Sequence, residues 1–364
     1  MSQQLHVGLP RQSLRELSRS GPPYERICVA ASPIRSSVDF TKTGKQHGHL
    51  FIPYSHNLSG WANMMVPIAV LARGTGPTAL VMAGNHGDEY PGQVAILKLI
   101  RELQAEQVTG RIILIPALSI PASKAATRLS PLDGKNFNRS FPGNPAGTVS
   151  EVLAHYLTTE LFPLSDIVID MHTGGRSTDF LPCAHMHLVP PGPQRQAMLA
   201  GTEAWNSEFC FLYADIAGTG LLPVEAENQG KIVITTEMGG SENVTAEVHR
   251  ITQTGLRNVL IQTGVLEGKF VSRPKPARWV QALNWEDYRF APESGIYENI
   301  VPLGENVSAG QPVGAIHFLE NPQREPAMVL AHSAGVLVAT RAPSIVGQGD
   351  CVACIAHDVD PRSL

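Results

Sequence analysis

With 364 residues and a mass of 39.2 kDa, the chain is long enough for two domains at about 100–200 residues each. Apolar residues make up 43% and charged residues 16%, and 28 Lys and Arg stand against 32 Asp and Glu for a net charge of −4, a profile outside the disordered, collagen-like and supercharged classes. The mildly acidic balance carries no basic stripe, which leaves nucleic acid out of the expected partners.

Residues 1–29 read as an N-terminal extension, polar and without the apolar core of a signal peptide, so the expected compartment is the cytoplasm. No apolar run approaches the roughly 18 residues of a bilayer span, and no membrane partner is expected. Residues 27–71 carry short β-branched and aromatic runs broken by Gly, Ser and Asn, the pattern of several strands. Residues 78–83 read as a buried strand, 84–90 as a loop, 91–103 as a helix with Pro91 in its first turn, and 111–116 as the next strand. Such a βαβ unit implies a mainly parallel sheet covered on both faces.

The Gly/Pro/Ser/Asn-rich stretch 119–148 is too long for a simple connector and reads as a functional loop. A helix is predicted over 151–161, strands over 165–171 and 231–236, and a long amphipathic helix over 243–266. The Pro-rich segment at 273–276 marks a boundary, beyond which short strands are punctuated by Gly. A faint repeat follows: Gly295 with the run 310–316 is echoed by Gly335 with the run 349–355, resembling the two halves of a biotinyl/lipoyl-type sandwich. The run between the halves, 315–329, contains no lysine for modification, so this tail reads as a structural domain or cap rather than a carrier. Five cysteines spread from Cys28 to Cys354 make no disulfide framework in a chain of this size, and the pair Cys351 and Cys354, lacking a second pair, reads as packing.

Three strand ends carry the chemistry. His86 and Glu89 stand three positions apart in the turn after the first strand, an arrangement suited to a cation or, taken alone, to an ordinary polar loop. His172 ends a second strand, followed by Gly174 and Gly175, which permit close backbone approach. Two imidazoles, one carboxylate and a fourth position left to water form a recurring catalytic zinc set. Asp170 leaves the same strand face as His172 and either accepts the N–H of that imidazole or caps a nearby loop. Glu237 ends the third strand, where open α/β sheets gather their ligands, and is the candidate general base and acid. Within the long loop, Arg128, Asn138 and Arg139 concentrate donors; the planar Arg fork matches a carboxylate, although an Asn-Arg pair by itself also fits a solvated surface.

Taken together, His86 and Glu89, Asn138 and Arg139, His172, and Glu237 with Gly239 and Gly240 resemble, in order and context, the succinylglutamate desuccinylase/aspartoacylase family, a branch of the zinc carboxypeptidase superfamily. The resemblance extends over about residues 30–357. It implies an α/β fold with a carboxypeptidase-like mixed, mainly parallel sheet, comprising a catalytic domain at 30–268 and a β-rich, lipoyl-like domain at 269–364. It implies one Zn2+ per chain held by His86, Glu89 and His172, with Glu237 as catalytic carboxylate and Arg128, Asn138 and Arg139 on the substrate carboxylate. The expected activity is hydrolysis of the amide of a small N-acyl amino acid, N-α-acetyl-L-2,4-diaminobutyrate first. The alternatives are a metallocarboxypeptidase or a deacylase for another substrate such as N-acetylaspartate or N-succinylglutamate. Assembly into a homo-oligomer is left open.

Overall fold

A computed structural model describes residues 32–363 apart from Asp215 and Ala217, so the extension expected at 1–29 lies outside the described residues. The ten-residue strands β1 (Gly44–Pro53) and β2 (Asn63–Ala72) pair antiparallel along their whole length. Beyond them run β3 (Thr78–Ala83), β4 (Arg111–Ile115), β5 (Ile167–His172), β6 (Cys183–His187), β7 (Phe209–Tyr213), β8 (Ile232–Glu237) and β9 (Arg278–Ala282). With β10 (Gly335–Arg341) and β11 (Cys351–Asp358), the order across one large sheet is β1-β2-β4-β3-β5-β8-β6-β7-β9-β11-β10. Five of these pairings are parallel (β3 with β4 and β5, β5 with β8, β7 with β6 and β9), and the rest are antiparallel.

β3 and the first halves of β5 and β8 are apolar on both faces because both faces are covered. On one face Val81, Ile169 and Ile234 pack with Ile96 and Leu99 of helix α1 (Tyr90–Glu102) and with Leu256 and Leu260 of the long helix Ala246–Gln262. On the other, Leu80, Met82, Val168 and Val233 pack with Leu153 of the helix Val149–Tyr156 and with Leu222 and Ala226 of the helix Leu222–Asn228. Residues two apart on a strand share a face, so Asp170 and His172 follow Val168, and Thr235 and Glu237 follow Val233, onto this second face.

Several expectations shift. The stretch 119–148 is not wholly loop: it contains the helix Ile120–Ala125 and the 3-10 turn Phe137–Arg139. The helix expected to begin at 151 begins at Val149, because Thr148 and Glu151 form a reciprocal capping box, with the Thr148 N–H donating to Glu151 Oε2 at 2.8 Å. It gives way to a π-turn at Leu157–Leu161. The long helix is trimmed at its start by the Thr245 side chain, which accepts the Val248 N–H.

In the tail, Pro312–His317 lies between Ala327–Leu330 and Gly295–Asn299 in a four-stranded sheet, while β10 and β11 continue the large one. The repeat is visible in its glycines. A Cβ on Gly295 would fall 2.4 Å from the His317 carbonyl, and one on Gly335 would fall 2.5 Å from that of Ala356. The tail meets the large sheet through a cluster joining Cys183, Phe209 and Phe211 to Val336, Val338 and Cys354.

Candidate active site

The reactive side chains stand where β3, β5 and β8 end. β5 and β8 run in register, so His172 lies directly across from Glu237, and Ala83 on β3 pairs with Met171. The chain leaves β3 through Gly84, at φ +67°, in the left-handed region that glycine tolerates. It then presents His86 and reaches Glu89, the residue before the first turn of α1, where the helix dipole favours a carboxylate. The loops after β5 and β8 close over the Thr178 carbonyl oxygen, which would lie 2.0 Å from a Cβ on Gly174 and 1.8 Å from one on Gly240.

Glu89 sits between the two imidazoles, with Oε1 2.7 Å from His86 Nδ1 and Oε2 2.9 Å from His172 Nδ1. All three side chains are buried, and one ligand atom from each lies within 4.8 Å of the others. The far nitrogens are engaged elsewhere: His86 Nε2 lies 3.1 Å from Asn136 Oδ1, and His172 Nε2 lies 2.7 Å from Asp170 Oδ2. Both outer partners accept, so Nε2 is the donor end of each ring and Nδ1 is the end that faces Glu89 and would be offered to a cation. The carboxylate with two inward Nδ1 atoms is a donor set that fits a divalent cation. Asp170 therefore orients an imidazole rather than capping a loop, and it is itself held by Asn85 Nδ2 at 3.1 Å.

The electrostatics have the same origin. Burial alone would raise the Glu89 carboxyl, but the facing imidazoles of His86 and His172 outweigh it and hold the group below the carboxylate range. Burial works against protonation of His172 too, yet Asp170 and Glu89 overcome it and raise that imidazole well above its ordinary value. For His86 burial prevails, and its pKa falls despite Glu89. Glu237 is pushed up to about 8 by burial and then by the charge of Glu89, and its Oε2 has no hydrogen-bond partner among the described residues.

Arg128 reaches the cluster itself: its Nη1 lies 3.3 Å from His86 Nδ1 and 3.5 Å from Glu89 Oε1, and its side chain is 45% exposed. Asn138 Oδ1 accepts the Leu222 N–H at 2.8 Å, which fixes the orientation of the amide and leaves Nδ2 as its donor end. Arg139 Nη1 donates to the Asn138 carbonyl at 2.7 Å.

His86, Glu89, His172, Glu237, Arg128, Asn138 and Arg139, the expected metal, catalytic and substrate residues, all line one cavity of about 410 Å³, with Asp170 behind His172. Sequence reasoning missed its other walls, among them His185 on β6, Phe211 and Tyr213 on β7, and Tyr288 in the tail. The alternation of His185 and His187 through 183–187 was the available signal, a strand with one polar face. Cys351 and Cys354 are free thiols that also line this cavity; Cys354 packs against Cys183 as expected of a core residue.

Two histidines and two carboxylates gathered in one cavity at the ends of a mainly parallel sheet are a hydrolase-like arrangement, and similarity to known proteins gives the class, the deacylases. Residues 75–262 match the model of the succinylglutamate desuccinylase/aspartoacylase catalytic domain, and the chain belongs to that family. The N-alpha-acetyl-L-2,4-diaminobutyric acid deacetylase of Halomonas elongata is 39% identical over 329 residues, covering 90% of this chain and 96% of that protein. Among solved structures, the product-bound ectoine utilization protein EutE (DoeB) of Ruegeria pomeroyi superposes with a TM-score of 0.87 at 35% identity, covering 90% of this chain and all (100%) of that one. A succinylglutamate desuccinylase/aspartoacylase from Rhodobacter sphaeroides gives a TM-score of 0.86 at 38% identity with the same coverage.

Proposed function

We propose that this enzyme hydrolyses N-α-acetyl-L-2,4-diaminobutyrate to 2,4-diaminobutyrate and acetate, using one Zn2+ per chain held by His86, Glu89 and His172. The observation that carries the reading is the burial of these three ligands in one cavity with Glu237, Asn138 and Arg139, in a chain 39% identical to a deacetylase named for that substrate. The bound ion would supply Lewis acidity to the acetyl carbonyl and to water.

The protein groups supply positioning and proton transfer. Arg139 and the Asn138 Nδ2 donor bind the substrate α-carboxylate, a planar acceptor that an Arg fork meets with two parallel hydrogen bonds. Arg128 joins them from the ligand side, where its guanidinium opposes negative charge gathering beside Glu89. Glu237 takes a proton from the attacking water as the oxygen bonds to the carbonyl carbon. It returns that proton to the amide nitrogen as the C–N bond breaks, so that acetate and a free amine leave. The poorly solvated Oε2 is suited to both transfers. The division of the chain into 30–268 and 269–364 belongs to the same proposal, with the tail forming a wall through Tyr288 and Cys351 that closes the cavity to a longer peptide. The proposal places this activity in the cytoplasm on a small-molecule substrate. Among the described residues no helix is long and apolar enough to cross a membrane.

The test is metal content and acetate release measured on one sample. About one zinc per chain is expected, with activity lost on chelation and restored by zinc, and with metal and activity both lost in His86→Ala and His172→Ala. Full activity after exhaustive chelation refutes the reading.

A further inference from the structure

His185 is buried, lies on the strand beside Glu237 and is unused by the chemistry above. Its partner across the strands is Thr235, and Thr235 in turn pairs with Asp170, so Asp170, Thr235 and His185 form a row one pleat deeper in the sheet than His172 and Glu237. The Thr235 hydroxyl donates its single proton to the His185 carbonyl oxygen at 2.7 Å. Its oxygen lies 2.9 Å from His185 Nδ1 and must there accept, so Nδ1 carries the ring proton. Burial disfavours a second proton and holds the ring neutral. Nε2 is thus a lone-pair acceptor, and it has no partner among the described residues.

Of the side chains lining the cavity, only His185 Nε2 and Glu237 Oε2 are buried polar atoms without a partner among the described residues. Glu237 is committed to proton transfer, which leaves His185 to meet a substrate donor. Around it stand aromatic rings: Tyr213 packs edge-on at 4.6 Å between centroids, and Phe211 is its neighbour across the strands. An aromatic face favours a cation over an anion.

We infer that His185 reads the substrate side chain, its Nε2 accepting a hydrogen bond from the terminal ammonium of the amino-acid moiety. The inference rests on the diaminobutyrate reading and sharpens it. A lone-pair acceptor in an aromatic wall rewards an amine and rejects the acidic side chains of N-acetylaspartate and N-succinylglutamate, because two acceptors cannot share a bond.

The experiment compares kcat/KM for N-acetyl-2,4-diaminobutyrate and N-acetyl-2-aminobutyrate, which lacks only the terminal amine, in wild type, His185→Leu and His185→Gln. Wild type should favour the amine by on the order of 10- to 100-fold, as expected for a buried bond to a charged donor. His185→Leu should erase the preference while keeping its rate on the shorter substrate and its metal, and His185→Gln, which retains an acceptor, should restore part of it. A preference that survives in His185→Leu overturns the role of His185 alone, whereas failure of wild type to hydrolyse the acetylated diamine overturns the function and this inference together. Should the leucine variant misfold, nitrogen NMR of wild type decides: the unprotonated Nε2 signal should move on binding 2,4-diaminobutyrate and not 2-aminobutyrate, and equal responses refute the assignment.

Discussion

In the proposed mechanism Glu237 and the two histidines divide the work by which of their atoms are already engaged. Glu237 lies across from His172 with one oxygen unpartnered among the described residues, whereas each of the two imidazoles is anchored by its far nitrogen. Glu237→Gln should therefore keep the metal and lower kcat by on the order of 100-fold or more with little change in KM, since what is removed is proton transfer in the transition state. Loss of metal in that variant would mean that Glu237 is a ligand. Asp170→Ala should act differently, weakening metal affinity by about 10- to 100-fold through the loosened His172 ring, as read by competition with a chromogenic chelator. Unchanged affinity would show that the ring is held by its packing alone. Arg139 is tested with substrate and side chain together. Arg139→Lys and amidation of the substrate carboxylate should each reduce turnover, and the combined loss should fall well short of their sum, because both disrupt one contact; additive losses would remove Arg139 from the carboxylate site.

At the scale of elements, what the sequence made legible and what it hid have separate physical causes. β3, β4, β5 and β8 are short apolar runs buried on both faces, and the strand read at 78–83 is Thr78–Ala83 in the fold. The candidate site residues were readable because His172 and Glu237 end such runs and His86 and Glu89 follow one. Between them, the region 176–229 was not read: its strand at 183–187 alternates two imidazoles with apolar residues, and polar groups on a buried face conceal a strand. The six-residue helix Ile120–Ala125, with Pro121 in its first turn, is too short for periodicity to register. The glycines after β5 and β8 follow from packing that no local pattern displays. Gly240→Ala should cost about 1–3 kcal/mol through collision with the Thr178 carbonyl, lowering the melting temperature by several degrees. An unchanged melting temperature would mean that the turn relaxes without strain.

Across the whole molecule, one sheet among the described residues carries the candidate site residues and runs on into the tail that we propose as a wall of the cavity. β9 hands the sheet on to β11 and β10, and through this continuity Tyr288, Cys351 and Cys354 border the same cavity as His86 and Glu89. At about 410 Å³ the cavity has room for a small acylated amino acid. The repeat in the tail, legible from Gly295 and Gly335, gave its strands but not their junction with the large sheet, because pairing between distant segments leaves no trace in a local run. The most direct measurement is the initial rate of amide hydrolysis by the zinc-loaded enzyme on N-acetyl-2,4-diaminobutyrate, N-acetylaspartate, N-succinylglutamate and a dipeptide ending in 2,4-diaminobutyrate. Release of acetate from the first at a kcat/KM at least about tenfold above the others is the predicted result, and preferential cleavage of the dipeptide or of either acidic substrate would contradict it.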